Sequence, residues 1–112
     1  DRGRILQVVS NLISNAIKFT EEKGSILVSA ERRKEAGKNI VVVSVKDTGT
    51  GIDSEILPRL FTKFASKSEL GGTGLGLYIS KSIVDAHRGK IWCENNNGKG
   101  KGATFSFSLP LD

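Results

Sequence analysis

Three polar or glycine-rich segments contain the side chains of this sequence that could take part in chemistry. Asn11 and Asn15 stand four residues apart, residues 47–53 read DTGTGID, and residues 72–77 read GTGLGL. Side-chain amides, carboxylates and glycine-rich helix starts bind metal ions, hydrogen-bond donors and anions, respectively. Each segment alone is a weak signal, and each has an ordinary structural alternative.

Asn15 borders the apolar stripe of the first predicted helix, where a side-chain amide needs hydrogen-bonding partners. Its oxygen is also a suitable ligand for Mg²⁺, which prefers oxygen ligands and keeps several of its waters. A metal ion held in this way would bind only together with a phosphate. The alternative is that Asn11 and Asn15 are two ordinary polar residues on the surface of the helix.

Asp47 ends a predicted strand and is followed closely by Gly49 and Gly51. A carboxylate at a strand end can accept a hydrogen bond from the exocyclic amine of a base, and neighbouring glycines let the backbone approach a flat ring. This chemistry would select adenine over guanine. An Asx turn is the structural alternative.

Residues 72–77 open a predicted helix, where free backbone amides and the positive end of the helix dipole can bind phosphate. No Gly-Lys-Ser/Thr follows, and no G-x-G-x-x-G opens a βαβ unit, so Walker-type and Rossmann-type proteins are disfavoured. A hinge or an N-terminal turn is the alternative.

Two long helices are predicted to position these segments. Residues 4–19 repeat apolar side chains at helical spacing over about half of the circumference, which is typical of a helix packed on a sheet. Residues 75–87 recover the same periodicity, with Gly89 as the C-terminal stop. A short helix is predicted at 54–60, and residues 61–72 form a long loop.

The strands are predicted from alternation and from β-branched residues. Residues 25–32 predict a half-buried strand, because the apolar residues Ile26, Val28 and Ala30 stand at every second position. Residues 40–46 are rich in β-branched side chains and predict a central strand. The two strands are predicted to pair antiparallel, with a hairpin turn near 37–39. Residues 90–94 and 103–109 predict the last two strands. The order favours an α/β (α+β) two-layer sandwich, with a mixed, largely antiparallel sheet and about three helices on one face.

The chain has 112 residues, a formal net charge of +5, one cysteine and no methionine. Its length fits one domain, 1–112. Because Asp1 leads straight into a helical pattern, we expect a segment of a longer protein. The basic residues are scattered and no aromatic-rich basic stripe accompanies them, so we expect no nucleic-acid partner; the positive potential suits an anionic ligand or an acidic partner.

No apolar run approaches the ~20 residues that span a membrane, and no signal-peptide pattern opens the chain. The single cysteine, Cys93, excludes an internal disulfide and a multi-cysteine metal site, and it is interpreted as a small buried apolar residue. We therefore expect a cytoplasmic domain. Whether the parent protein is membrane-anchored stays open.

Taken in order, the segments resemble the four boxes of the histidine-kinase branch of the Bergerat-fold ATP-binding family. Residues 11–20, NLISNAIKFT, are similar to the N box, and residues 47–52 to the first glycine box. Residues 60–64, LFTKF, are similar to the F box, and residues 72–77 to the second glycine box. The resemblance spans nearly the whole chain.

The resemblance implies that the chain binds ATP and Mg²⁺. Asn15 would hold Mg²⁺, Lys18 would contact phosphate, and Phe19 would flank the nucleotide. Asp47 would bind the adenine amine, and residues 61–74 would be a mobile ATP lid. The implied ATP-binding residues are Asn11, Asn15, Lys18, Phe19, Asp47, Gly49, Gly51, Ile52, Phe61, Lys63, Lys67, Gly72, Thr73, Gly74, Leu75, Gly76 and Leu77.

Asn11 separates two branches of this family. Hydrolytic members typically carry Glu four residues before the metal-binding Asn, where it can serve as a general base, and an amide cannot take that role. A histidine kinase needs no such base, because an imidazole nitrogen is already a good nucleophile and the ATP domain chiefly positions the γ-phosphate. A hydrolytic Bergerat-fold ATPase and a non-catalytic nucleotide-binding module are the alternatives.

The phosphate-accepting histidine of this family normally lies in a separate helical domain upstream. His87, the only histidine here, follows a predicted helix before Arg88, and we expect it to interact with the helix dipole or solvent rather than to accept phosphate. The expected partners are that dimerisation and phosphoacceptor domain and, indirectly, a response regulator. We expect the fragment to be monomeric, its parent to be a homodimer, and the fragment alone to turn over poorly.

Overall fold

The computed structural model describes residues 2–19, 24–49, 51–52, 60–62, 76–96 and 102–111. In chain order its elements are α1 (Arg2–Phe19), β1 (Ile26–Glu35), β2 (Lys38–Asp47), α2 (Gly76–Ala86), β3 (Lys90–Asn95) and β4 (Ala103–Pro110). The predicted long helices and all predicted strands are present, with ends shifted by at most three residues. The short helix predicted at 54–60 falls almost wholly outside the described residues.

The strands form one sheet in the order β1-β2-β4-β3, and every pairing among them is antiparallel. β2 is the long inner strand, as its β-branched run predicts, and Val45 pairs with Val28 on one side and with Phe105 on the other. The predicted antiparallel pairing of the first two strands is confirmed. Ala36 and Gly37, both with positive φ, form the turn between them.

The core lies between the sheet and the two helices. Val8, Leu12 and Ala16 of α1 are completely buried, as their helical spacing predicts, and they share one apolar cluster with Phe105 and Phe107 of β4. α1 packs on β2, whereas α2 packs on β3 and β4. The expected two-layer α+β sandwich is therefore confirmed. Neither of the two helices in the described part has the length and hydrophobicity needed to cross a membrane.

β1 departs from the prediction of a half-buried strand. Only Ile26 is partly buried, Val28 keeps 47% of its side chain exposed, and the remaining residues are exposed. The alternation is real, since Val28 and Ala30 pair with residues on the core face of β2. However, β1 is an edge strand, and the layer formed by the described helices ends above β2. Alternation therefore determines which way these side chains point, but neither described helix covers them.

The turn after α2 also differs from expectation. Arg88, not Gly89, adopts the left-handed conformation, with φ of 64°. This costs a residue with a Cβ about 1 kcal/mol. Gly89 is needed for a different reason, because a Cβ at this position would lie 1.9 Å from the carbonyl oxygen of Ser108 in β4. Gly89 therefore allows α2 and β4 to approach closely, and its amide donates to the carbonyl of Val84 at 2.9 Å.

Candidate functional site

Asp47, the last residue of β2, is completely buried. Its Oδ1 accepts hydrogen bonds from the backbone amides of Gly49, at 2.9 Å, and Ala103, at 3.3 Å. Its Oδ2 is equally buried and has no hydrogen-bond partner among the described residues. A buried polar atom is costly unless it is paired, so this oxygen is suited to accept a hydrogen bond from a ligand.

The backbone around Asp47 is held closely by the residues that join β3 to β4. Asn96 donates from Nδ2 to the carbonyl oxygen of Asp47 at 3.0 Å, and its backbone amide donates to Gly102 at 2.8 Å. Gly102 has φ of 125°, and a Cβ there would lie 2.1 Å from the same carbonyl oxygen. Only glycine satisfies both conditions, so Gly102 fixes the approach of β4 to the end of β2.

The loop after Asp47 is pinned by Asn95. The Ile52 amide donates to Asn95 Oδ1 at 2.7 Å, and Asn95 Nδ2 donates to the Ile52 carbonyl at 2.8 Å. Gly51 has φ of 79°, and a Cβ there would lie 3.0 Å from Asn95 Oδ1. The predicted base-pocket residues Gly49, Gly51 and Ile52 are thereby brought together with Asp47, and Ile52 is buried.

Asn95 and Asn96 are site residues that the sequence analysis missed. They lie more than forty positions from the residues they hold, at 43 and 49 positions from Ile52 and Asp47. The only local signal is a pair of asparagines at a strand end. Such a pair is typical of any turn, because an Asn side chain can both donate and accept.

Asn11 connects the two helices. Its Nδ2 donates to the carbonyl oxygen of Gly76 at 3.3 Å and to Ser80 Oγ at 3.2 Å. Ser80 is completely buried and Leu77 almost so, which makes this contact part of the junction between α1 and the first turn of α2. Asn15 lies one turn further along α1 and is half-buried. The N-box helix and the end of the second glycine box are therefore adjacent.

The start of the F box packs against the sheet. Leu60 is buried, and the ring of Phe61 meets that of Phe105 edge to face, with a centroid distance of 6.4 Å. This contact fixes the backbone at the beginning of the predicted lid. Whether Phe61 also touches a ligand stays a prediction.

Several predicted site residues lie outside the described part of the chain. They are Lys63, Lys67, Gly72, Thr73, Gly74 and Leu75, together with the side chains of Lys18 and Phe19. The predicted lid at 61–74 is likewise outside it, except for its first two residues.

Cys93 pairs with Phe105 in the register of β3 and β4 and is partly buried. Burial, together with the negative charges of Asp47 and Glu94, raises the pKa of its thiol from 9.0 to about 12. The thiol therefore stays protonated and unreactive at neutral pH. Within the described residues no three His, Cys, Asp or Glu side chains are grouped to hold a metal ion.

His87 follows α2 as expected. Its Nδ1 lies 2.7 Å from the carbonyl oxygen of Ile83, within the last turn of the helix. The predicted place of His87 at the C-terminal end of the helix is confirmed, and its interaction with the helix dipole stays a prediction.

The chain is similar over its whole length to known proteins. Residues 1–112 match the family described as "Histidine kinase-, DNA gyrase B-, and HSP90-like ATPase". The sensor histidine kinase WalK of Bacillus subtilis is 41% identical over 115 residues, covering 98% of this chain and 18% of WalK. The chain spans 14% to 18% of the length of the curated relatives that it matches.

Two solved structures share the fold at high similarity. The catalytic domain of the histidine kinase ThkA, in a nucleotide-free form, has a TM-score of 0.81 and 40% identity, covering 98% of this chain and 69% of that one. Full-length ShkA in complex with AMPPNP has a TM-score of 0.79 and 35% identity, covering 98% of this chain and 22% of ShkA. Because the family match extends over every residue, the chain belongs to the histidine kinase-, DNA gyrase B- and HSP90-like ATPases, and within them to the sensor histidine kinase type.

Proposed function

We propose that this chain binds Mg-ATP and positions its γ-phosphate for transfer to a histidine on a separate helical domain of the same sensor kinase. The observation that carries the proposal is the completely buried carboxylate of Asp47, whose Oδ2 lacks a partner among the described residues. The 6-amino group of adenine is a hydrogen-bond donor of the kind that this oxygen needs, whereas guanine presents a carbonyl at that position.

The surroundings of Asp47 support recognition of a flat base. Gly49 and Gly51 have no side chains to obstruct an approaching ring, and Ile52 contributes an apolar side chain held by Asn95. The fixed position of these groups reduces the entropic cost of binding, because little has to be ordered when a ligand arrives. The similar structure of ShkA, which contains AMPPNP, an analogue of ATP, is consistent with this use of the fold.

Asn15 fits the part of a Mg²⁺ ligand by its chemistry. It is half-buried on α1, one turn beyond the contact between Asn11 and α2, and its amide oxygen is a hard donor. One protein oxygen is sufficient when the phosphates supply others, since Mg²⁺ usually keeps waters and binds with the phosphates of its substrate. The metal would neutralise charge on the phosphates during transfer.

The position of Asn11 supports a kinase rather than a hydrolase. Its Nδ2 is used in hydrogen bonds to Gly76 and Ser80, and an amide cannot remove a proton from water. An imidazole nitrogen needs no such assistance, so positioning and charge neutralisation suffice. The proposal also covers the whole parent protein, with an acceptor histidine, dimerising helices, a response regulator as indirect partner and a cytoplasmic location. It includes poor turnover by this chain alone.

Calorimetric titration with Mg-AMPPNP tests the nucleotide site. We expect Asp47→Asn to weaken binding about 10- to 100-fold, because a buried hydrogen bond to a charged acceptor contributes about 1.5–3 kcal/mol. The preference for adenine over guanine nucleotides should disappear in the same variant. Asp85→Asn is the matched control, since Asp85 is exposed on α2 and pairs only with Lys81 among the described residues.

Three further measurements separate the parts of the proposal. Asn15→Ala should weaken binding in the presence of Mg²⁺ and have little effect in EDTA. Equal affinity in wild type, Asp47→Asn and Asn15→Ala, or no binding by wild type, would contradict the site. Steady release of phosphate from ATP by the isolated chain would favour the hydrolase instead. A longer chain that includes the upstream helices should form an acid-labile phosphohistidine. If it does not, the kinase proposal is contradicted.

A further inference from the structure

The antiparallel topology separates the domain into two ends. Asp47, Asn95 and Gly76 lie at one end, because β2 and β3 finish there and α2 begins there. The starts of β2 and β3, the end of β4 and the end of α2 lie at the other. We call this second end, formed by residues 38–40, 86–90 and 108–111 with the start of α1, the distal pole.

The distal pole contains a cleft of about 590 Å³ that is lined by three cationic residues, Lys38, Arg88 and Lys90. They come from three different elements, namely the start of β2, the turn after α2 and the start of β3. All three are exposed, and none forms a salt bridge within the part of the chain that the structure describes. Among the described residues, Glu35 is the one carboxylate that lines the cleft, so this part of the lining is positive on balance.

The backbone of Arg88 adds a second, independent observation. Arg88 has φ of 64° at the end of α2, a position where glycine is strongly favoured because it has no Cβ. Its side chain makes no hydrogen bond with the described residues that would offset this strain. Residues held in strained conformations occur preferentially where a ligand is bound. The strain here keeps a guanidinium group at the edge of the cleft.

Apolar surface lies directly beside these charges. A second cleft, of about 340 Å³, is lined by the apolar residues Ile5, Leu6, Leu109 and Pro110, together with Arg2 and His87. Leu6 is 60% exposed, and Leu111, the next residue along from Pro110, is 45% exposed. The two clefts share Pro110, so apolar and cationic surfaces are continuous across the pole.

We propose that the distal pole is a docking surface for an acidic segment of a partner polypeptide, with apolar side chains interspersed among its carboxylates. Carboxylates would pair with Arg88, Lys38 and Lys90, and apolar side chains would cover Leu6 and Leu109. No Phe, Tyr or Trp among the described residues lines either cleft, which disfavours single-stranded nucleic acid. The surface is at the opposite end from Asp47, so the partner and a nucleotide can bind together, and the proposal stands independently of nucleotide binding.

Arg88→Gly is the decisive variant because it separates structure from binding. Removing the Cβ relieves the left-handed backbone, so we expect the melting temperature to stay the same or rise by roughly 2–5 °C. We expect the same variant to weaken binding of a fluorescein-labelled synthetic peptide of alternating glutamate and leucine pairs about 10-fold at low salt. Lys46→Gln, which removes one exposed positive charge at the other end of β2, is the matched control and should leave peptide binding unchanged.

Further experiments with the whole chain use other probes and variants. The peptide with glutamine in place of glutamate should not bind, and binding of the acidic peptide should weaken as salt rises. Lys38→Gln with Lys90→Gln should reduce its binding at least as much as Arg88→Gly. The proposal is overturned if wild type does not bind the acidic peptide, if Arg88→Gly binds it as wild type does, or if inorganic phosphate or a single-stranded oligonucleotide at equal charge displaces it completely.

Discussion

At one end of the sheet a single carboxylate is completely buried, and two backbone amides donate to one of its oxygens. At the other end Lys38, Arg88 and Lys90 are exposed and have no salt-bridge partner among the described residues. A buried group recognises a ligand through one short contact, since leaving it unpaired is costly. Exposed charges attract over longer distances and each contributes little. The first arrangement suits selection of one base, and the second suits an extended, charged partner.

Glycine substitutions give the strongest test of this difference. Gly102→Ala places a Cβ 2.1 Å from the Asp47 carbonyl, and Gly89→Ala places one 1.9 Å from the Ser108 carbonyl. We expect each to lower the free energy of unfolding by about 3 kcal/mol or more, because backbone must move in both. Only Gly102→Ala should also abolish nucleotide binding by the molecules that remain folded.

Urea unfolding and nucleotide titration at low temperature measure the two effects of these glycine variants. Gly37→Ala is the control for φ alone: its φ is 77°, but nothing lies within 4 Å of the added Cβ. We expect it to cost only about 1 kcal/mol. Equal loss of nucleotide affinity in Gly89→Ala and Gly102→Ala would remove the distinction between the two ends.

Asn95→Ala should have a smaller, more local effect. It removes both hydrogen bonds to the backbone of Ile52, which should lower the free energy of unfolding by about 1–3 kcal/mol. We expect nucleotide affinity to fall about 10-fold, although Asn95 itself is not proposed to touch the ligand. Asn95→Asp retains the acceptor for the Ile52 amide and should be intermediate in both measurements.

The matched control for Asn95→Ala is Asn39→Ala. Asn39 is an exposed asparagine at the distal pole, and its side chain makes no hydrogen bond to the described residues. It should change neither stability nor nucleotide affinity measurably. Normal nucleotide affinity in a folded Asn95→Ala variant would mean that the loop does not depend on this contact.

The pH dependence of stability gives the smallest expected effect. The folded Cys93 thiol holds its proton to a pKa of about 12, whereas an unperturbed thiol loses it near 9.0. The folded state therefore binds more protons between these values, and the stabilisation present below pH 9 is lost as the pH rises towards 12. Cys93→Ala should show a shallower decline over this window in urea titrations at a series of pH values. Parallel curves for the two proteins would contradict the burial of the thiol.

Much of the fold follows from periodicity. Val8, Leu12 and Ala16 are buried because four-residue spacing places them on one side of α1, and the β-branched run of β2 lies inside the sheet, between β1 and β4. The burial of β1 could not be predicted in the same way. Alternation determines which way Val28 points, whereas the extent of the helical layer depends on how α1 and α2 cross the sheet.

The residues proposed to face the ligand form short, local patterns, whereas the contacts that hold them in place were not predicted. Asp47 with its glycines is a short, local pattern that can be read from sequence. The contacts of Asn95 with Ile52, and of Asn11 with Gly76, join residues 43 and 65 positions apart, and such pairs depend on the completed topology. The positive φ at Arg88 and the close approach of Gly89 to β4 could not be predicted from sequence either, because the need for glycine at position 89 comes from a strand that is distant in the chain.

The exposed edge strand β1 has a consequence for behaviour at high concentration. Among the described residues its outer edge has no partner strand, and unpaired strand edges are templates for association between chains. Residues 31–35 read ERRKE, and their charges oppose such association along half of the strand. The other half, with Leu27 and Val28 exposed, has no such protection. Five charged residues that contribute neither to the core nor to the candidate nucleotide site therefore oppose association of chains along this edge.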